Sequence, residues 1–216
     1  MLPSGNSNNS ANYSLVTDFT PYPEPMLALV APGQGAQTPG FLTPWLELPR
    51  ARELFTWWSA VANIDLIHLG TKADSEEIKD TANAQPLLVS AGLFGALSLF
   101  PHPSDAFGKV GVVAGHSVGE FTAAAGARAI TAESAMVLVK ERGAAMAEAS
   151  TRAKTGMSAI LGGERESVLH AIAAHNLVAA NENGAGQIVA AGLLSDLQAL
   201  EGAPPEGARI RALAVA

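Results

Sequence analysis

Apolar positions along this chain fall into short runs separated by longer amphipathic stretches, beginning with Met26-Leu27-Ala28-Leu29-Val30 and its terminator Pro32-Gly33. A short apolar run closed by Pro-Gly predicts a buried strand leading into a tight loop. A helix is expected from about Arg50 to Ala60 and a second, mostly buried one over Asn83 to Phe100, with Gln85-Pro86 near its start, where a missing N–H costs nothing. Val110 to Ala114 reads as the next strand. It runs into Gly115 and a helix from about Val118, and a longer amphipathic helix follows from about Ala132 to Ala149. Apolar rather than half-polar strands alternating with helices predict an α/β fold, a parallel sheet with flanking helices on both faces.

After Lys154 the rhythm changes. Met157 to Leu161, a helix near Arg165 to Ala174, Leu177 to Ala180, Gln187 to Ala191, a helix near Leu194 to Leu200 and then Ala208 to Val215 spell β-α-β-β-α-β. That order predicts a ferredoxin-like α+β subdomain, with the Asn- and Gly-rich stretch Asn181 to Gly186 as the turn of its hairpin. Three parts are expected: a disordered extension over 1–25, an α/β core over 26–153 and the small subdomain over 154–216. The first 25 residues are rich in Asn, Ser and Pro and carry neither a basic n-region nor a continuous apolar h-region, so no signal peptide is read there.

Composition narrows the chemistry. With 48% hydrophobic residues the chain can bury a genuine core, and 13 basic against 20 acidic residues, a net charge of -7, argue against nucleic acid or anionic membrane as a partner. The longest uncharged apolar stretch, Pro86 to Phe100, is shorter than the roughly 18 to 20 residues that span a bilayer. The absence of cysteine removes disulfides, thiolate metal sites and a cysteine nucleophile, and it fits a cytoplasmic setting. Neither a metal nor a cofactor is expected.

The sharpest chemical signal is Gly115-His116-Ser117-Val118-Gly119, a G-x-S-x-G between an expected strand and an expected helix, which is the context of a nucleophile elbow. Ser117 is the candidate nucleophile, its bland alternative being a helix cap. His116 would point elsewhere on so tight a turn and reads as structural rather than as a base. Pro32-Gly33-Gln34-Gly35-Ala36-Gln37 follows the first strand, and its spacing fits neither common phosphate-binding glycine pattern. Its amides could donate to a developing oxyanion, or it could be only a polar loop. Glu141-Arg142-Gly143 lies among apolar residues of the long helix, so Arg142 is either a solvated helix arginine or a partly buried one in need of an anionic partner.

Together PGQGAQ, GHSVGE and ERG, at these separations, resemble the malonyl-CoA:acyl carrier protein transacylases and the acyltransferase domains of fatty-acid and polyketide synthases. Gly156 to Gly162 and Ala180 to Gly192 look like that family's small inserted subdomain, so the resemblance covers everything after residue 25. It implies that Ser117 takes a malonyl group from malonyl-CoA as an ester and passes it to the phosphopantetheine thiol of acyl carrier protein in fatty-acid biosynthesis. Gln34 and the backbone N–H of Val118 would form the oxyanion hole, Arg142 would hold the malonate carboxylate, and Gln85, His116 and Asn181 would line the site. The branched Val118 resembles malonyl-preferring members. A monomer is expected of the complete protein.

One element of the family pattern is missing. The family's base is a histidine in a segment like G-A-F-H-T directly after the strand that closes the small subdomain, and the sequence stops at Ala216, at the end of the strand that should lead to it. The histidines after Ser117, His170 and His175, fall on or just past a helix of the insertion. A truncated chain with an incomplete sheet, exposed apolar surface and little or no activity is therefore expected. Two other readings remain: a serine esterase or thioesterase of α/β-hydrolase type, and a non-catalytic module that binds CoA or a carrier protein.

Overall fold

The computed structural model describes residues 27–100, 102, 105 and 109–213. The expected extension over 1–25, the start at Met26 and the last residues of the final strand, 214–216, lie outside them. Strand β1 (Leu27–Ala31) and strand β2 (Val110–Gly115) pair in parallel, with Leu29 opposite Val113 and Ala31 opposite Gly115. Parallel pairing requires a long crossover, and here it is helical: α1 (Ala51–Ala62), α2 (Leu66–Thr71) and α3 (Thr81–Ser98) all lie between the two strands. Helix α4 (Gly119–Gly126) packs on both strands and on α3, and α5 (Ala132–Ser150) packs along α3. The chain is thus α/β with a parallel sheet and flanking helices. Val30 and Val112 are 72% and 55% exposed, so the apolar strands are not covered along their whole length by the described residues.

The core of this unit joins Phe55 and Trp58 of α1, Leu87, Val89 and Phe94 of α3, Val118, and Met136 and Val139 of α5. Capping decides where its helices begin. Asp80 accepts the Ala82 N–H at 2.8 Å, so α3 starts at Thr81, two residues earlier than the apolar pattern indicates. Pro86 consequently lies beyond the first turn, and its missing N–H removes a bond that would have reached the carbonyl of Ala82. The six-residue α2 and a 3-10 turn over Trp45–Glu47 are too short to show a period, and the sequence reading leaves both out. Thr131 caps α5 by accepting the Ser134 N–H at 3.0 Å. Thr131→Ala is expected to lower stability by about 1 kcal/mol, measured as a fall in the urea midpoint with an unchanged m-value.

Beyond α5, β3 (Thr155–Gly162), α6 (Arg165–Ala174), β4 (Val178–Glu182), β5 (Gln187–Leu193), α7 (Leu194–Gly202) and β6 (Ala208–Leu213) form a second layer pair. The sheet order is β4-β5-β3-β6 and every neighbouring pair is antiparallel. Ile160, Ile188 and Ala190 from the strands pack against Val168 and Ile172 of α6 and Leu197 and Leu200 of α7. Glu164 caps α6, and the N–H groups of Glu166 and Ser167 hold its carboxyl below the usual range. The hairpin turn is tighter than Asn181 to Gly186. Glu182 still pairs with Ile188, so Asn181 belongs to β4, and the Asn183 N–H closes the turn on the Gln187 carbonyl at 2.9 Å. Gly184 and Gly186, both at φ 74°, and Ala185 at φ 48° supply the left-handed backbone that a turn this short needs.

Candidate active site

Strand β2 ends at Gly115 and α4 begins at Gly119, leaving three residues to reverse the chain. Ser117 sits at the apex with φ 52°, a left-handed conformation uncommon for a non-glycine residue, and its side chain is exposed. Flanking glycines are required by contact rather than by flexibility. A Cβ on Gly119 would stand 2.3 Å from the Ala31 carbonyl oxygen and 2.7 Å from that of Pro32, and one on Gly115 would stand 2.3 Å from the Gly119 carbonyl carbon. The elbow is also tied to β1, since the His116 N–H donates to the Ala31 carbonyl at 3.1 Å. Ser117 is therefore a presented hydroxyl and not a helix cap, and the first residue of the helix it precedes is Gly119.

Arg142 reaches this hydroxyl from α5. Its Nη2 donates to Ser117 Oγ at 3.2 Å while Nη1 donates to Gln85 Oε1 at 2.5 Å. Gln85 comes from α3 and is 1% exposed, and its other amide end donates to the sulfur of Met146 at 3.2 Å. The two helices approach this closely because residue 143 is glycine: a Cβ there would lie 3.0 Å from the Thr81 carbonyl oxygen and 3.2 Å from the Cα of Ala82. Arg142 is half-buried, and among the described residues no carboxylate pairs with it. The two possibilities left by the sequence are thus decided. The guanidinium faces the Ser117 hydroxyl, with a neutral amide behind it and no compensating carboxylate among the described residues.

The glutamine loop behaves differently from the sequence expectation. Gln34 Nε2 donates to the Lys79 carbonyl at 3.4 Å and approaches Thr81 Oγ1 at 3.5 Å, and Gln37 Nε2 donates to the Ile78 carbonyl at 3.3 Å. Both side chains therefore fasten the loop to the entry of α3, where carbonyls preceding the helix need donors. What remains for an oxyanion is backbone: the N–H groups of Gln34 and Val118 donate to no acceptor among the described residues. Gly33 lies against the elbow, since a Cβ on it would be 2.8 Å from His116 Nδ1.

The imidazole of His116 makes no hydrogen bond to Ser117 among the described residues, its Nε2 lying 3.3 Å from Asn183 Oδ1. Asn181 sits on β4 opposite Val189 and makes no side-chain hydrogen bond among the described residues; Asn183, two residues on, is the asparagine that reaches the elbow. Sequence reasoning missed it, and the only available signal was the Asn-x-Asn repeat, which places both on one side of an extended segment. Met146, one turn beyond Arg142 on the same helix face, was missed as well. His170 lies on α6, and His175 ends it with Nδ1 on the Ala171 carbonyl at 2.8 Å. Neither makes a hydrogen bond to Ser117 among the described residues. Among the described residues no group of three metal-binding side chains is present, and no helix is long and apolar enough to cross a membrane. Two apolar clefts of about 430 and 440 Å³ flank β1 and β2, and neither is lined by Ser117 or Arg142.

No family model matches the chain. It is 52% identical over 191 residues to the malonyl CoA-acyl carrier protein transacylase of Mycobacterium tuberculosis, covering 88% of this chain and 63% of that protein. The crystal structure of MCAT from Mycobacterium tuberculosis superposes with a TM-score of 0.82 at 50% identity, over 88% of this chain and 63% of that one. A type II PKS acyl-carrier protein in complex with its malonyl-transacylase, PlMCAT:AntF, contains a chain that matches with a TM-score of 0.75 at 29% identity, over the same shares. This chain spans a little under two thirds of the length of these relatives.

Proposed function

The chain belongs to the malonyl CoA-acyl carrier protein transacylase family, and on that premise we propose that it transfers malonyl groups from malonyl-CoA to the phosphopantetheine thiol of acyl carrier protein, in fatty-acid biosynthesis and in the cytoplasm. Ser117 Oγ attacks the thioester carbonyl, the backbone N–H groups of Val118 and Gln34 receive the oxyanion, and the bond to sulfur breaks to release CoA as the thiol. The malonyl-serine ester is then attacked by the carrier's thiol, and Ser117 leaves with its proton restored. Throughout, Arg142 holds the distal carboxylate in a bidentate pair, which selects a dicarboxylic half-thioester over a neutral acyl group.

The observation that carries this reading is the guanidinium at 3.2 Å from the nucleophilic oxygen, held by a buried amide and with no compensating carboxylate among the described residues. A hydrolase of neutral esters would have no use for a positive charge there. The preference for malonyl over methylmalonyl rests on the resemblance of Val118 to the residue after the nucleophile in malonyl-preferring members; its side chain is buried in the core. The division into an α/β core over 26–153 and a ferredoxin-like subdomain over 154–216 belongs to the same reading, supported by two separate cores and by the β4-β5-β3-β6 order.

Intact-mass spectrometry after incubation with malonyl-CoA tests the proposal. A single malonyl adduct on the parent and none on Ser117→Ala is the expected result. Equal labelling of both, or turnover of neutral p-nitrophenyl esters without any malonyl adduct, would move the protein to another class of chemistry.

A further inference from the structure

The helices and strands of each unit pack chiefly against others of the same unit. Among the described residues, the side-chain hydrogen bond that bridges them is His116 to Asn183. We propose that His116 is a positioning residue, a clasp that holds the β4–β5 turn against the elbow by donating Nε2–H to Asn183 Oδ1. This rests on the reading of Ser117 as the acylated nucleophile.

Both partners are fixed from behind. The backbone of His116 is anchored by its N–H on the Ala31 carbonyl and by its own carbonyl, which accepts the Gly119 N–H at 3.0 Å. Its ring is stopped on the Nδ1 edge by Gly33, where even a methyl group would intrude to 2.8 Å. On the other side, Asn183 Nδ2 donates to Gln187 Oε1 at 2.8 Å while the Asn183 N–H donates to the Gln187 carbonyl. With Nδ2 directed at Gln187 Oε1, Asn183 presents Oδ1 to His116, the arrangement in which Nε2 is the donor of the clasp. An Nε2 that is a donor to Asn183 cannot also take the proton of Ser117, which gives the histidine beside the nucleophile a role other than base. Because Gly33 belongs to the loop that offers the Gln34 N–H, the same ring touches the oxyanion loop, the elbow and the second unit at once.

Amide hydrogen exchange on the whole chain tests the clasp without requiring turnover. In His116→Phe, which keeps a flat ring and loses the donor, exchange at residues 183–187 is expected to accelerate by about five- to tenfold, the weight of one hydrogen bond. In His116→Gln, whose amide can donate to the same oxygen, protection is expected to return. Adding Asn183→Ala to His116→Phe should give no more than Asn183→Ala alone. Unchanged exchange at 183–187 in a folded His116→Phe chain, or simple additivity in the double variant, would overturn the clasp. Single-turnover acylation by malonyl-CoA is followed in parallel and should slow in His116→Phe and recover in His116→Gln. If no chain, parent included, forms an adduct while exchange behaves as stated, the transacylase reading fails and the clasp stands.

Discussion

Gly119→Ala is expected to abolish acylation of Ser117 and to destabilise the chain by 3 kcal/mol or more, about the upper end of what overpacking costs. The added carbon would meet two main-chain carbonyls of the β1 exit, at 2.3 Å from Ala31 and 2.7 Å from Pro32, and neither can rotate away as a side chain would. Relief requires the elbow to move off β1, which breaks the bond from the His116 N–H to the Ala31 carbonyl and carries Ser117 with it. Gly126→Ala is the control, since at the end of the same helix the nearest atom to a new Cβ is Val113 Cγ1 at 3.6 Å, an ordinary contact. Urea unfolding and the malonyl adduct should both distinguish the two variants. A Gly119→Ala chain with parental stability and a normal adduct would mean that the close approach at the elbow is not real.

Removing the guanidinium is the second large effect. In Arg142→Ala the rate of acylation by malonyl-CoA is expected to fall roughly 10²- to 10³-fold, the range in which loss of one partner of a desolvated charge pair falls. Acylation by acetyl-CoA, which has no second carboxylate, should change little, so the ratio of the two rates is the informative measurement. Arg142→Lys should recover only a small part, because a point charge cannot reproduce the two-pronged geometry. Gln85→Leu tests the support: with no acceptor for Nη1, the guanidinium loses its orientation and malonyl selectivity should fall while the charge remains. Equal losses for both acyl groups in Arg142→Ala would assign the arginine to structure instead of selectivity.

How much of this site is visible before folding depends on whether the controlling force is local. A left-handed serine between two glycines, at a strand-to-helix junction, is a local requirement, and G-x-S-x-G between an apolar run and a helix announces it. The family resemblance adds Arg142 as a carboxylate ligand, but whether that arginine faces solvent or serine depends on the α3–α5 contact at Gly143. Gln34 shows the opposite case: the sequence leaves open whether its side-chain amide or its backbone N–H serves an oxyanion, and the side-chain amides of Gln34 and Gln37 are taken by carbonyls 45 and 41 residues away.

The sequence by itself determined the α/β alternation, the change of rhythm after Lys154 and the turn that presents Ser117, because strand and helix periods and the elbow glycines act over a few neighbouring residues, and the three motifs together pointed to the family. Boundaries set by single capping side chains, such as Asp80 before α3, were displaced by only a turn or less. Tertiary structure alone decided which groups meet: Gln85 behind Arg142, Asn183 rather than Asn181 at the elbow, and both loop glutamines turned toward α3. Those contacts join residues 41 to 67 positions apart, and a hydrogen bond at that separation depends on how helices and sheets pack, which no local pattern of residues encodes.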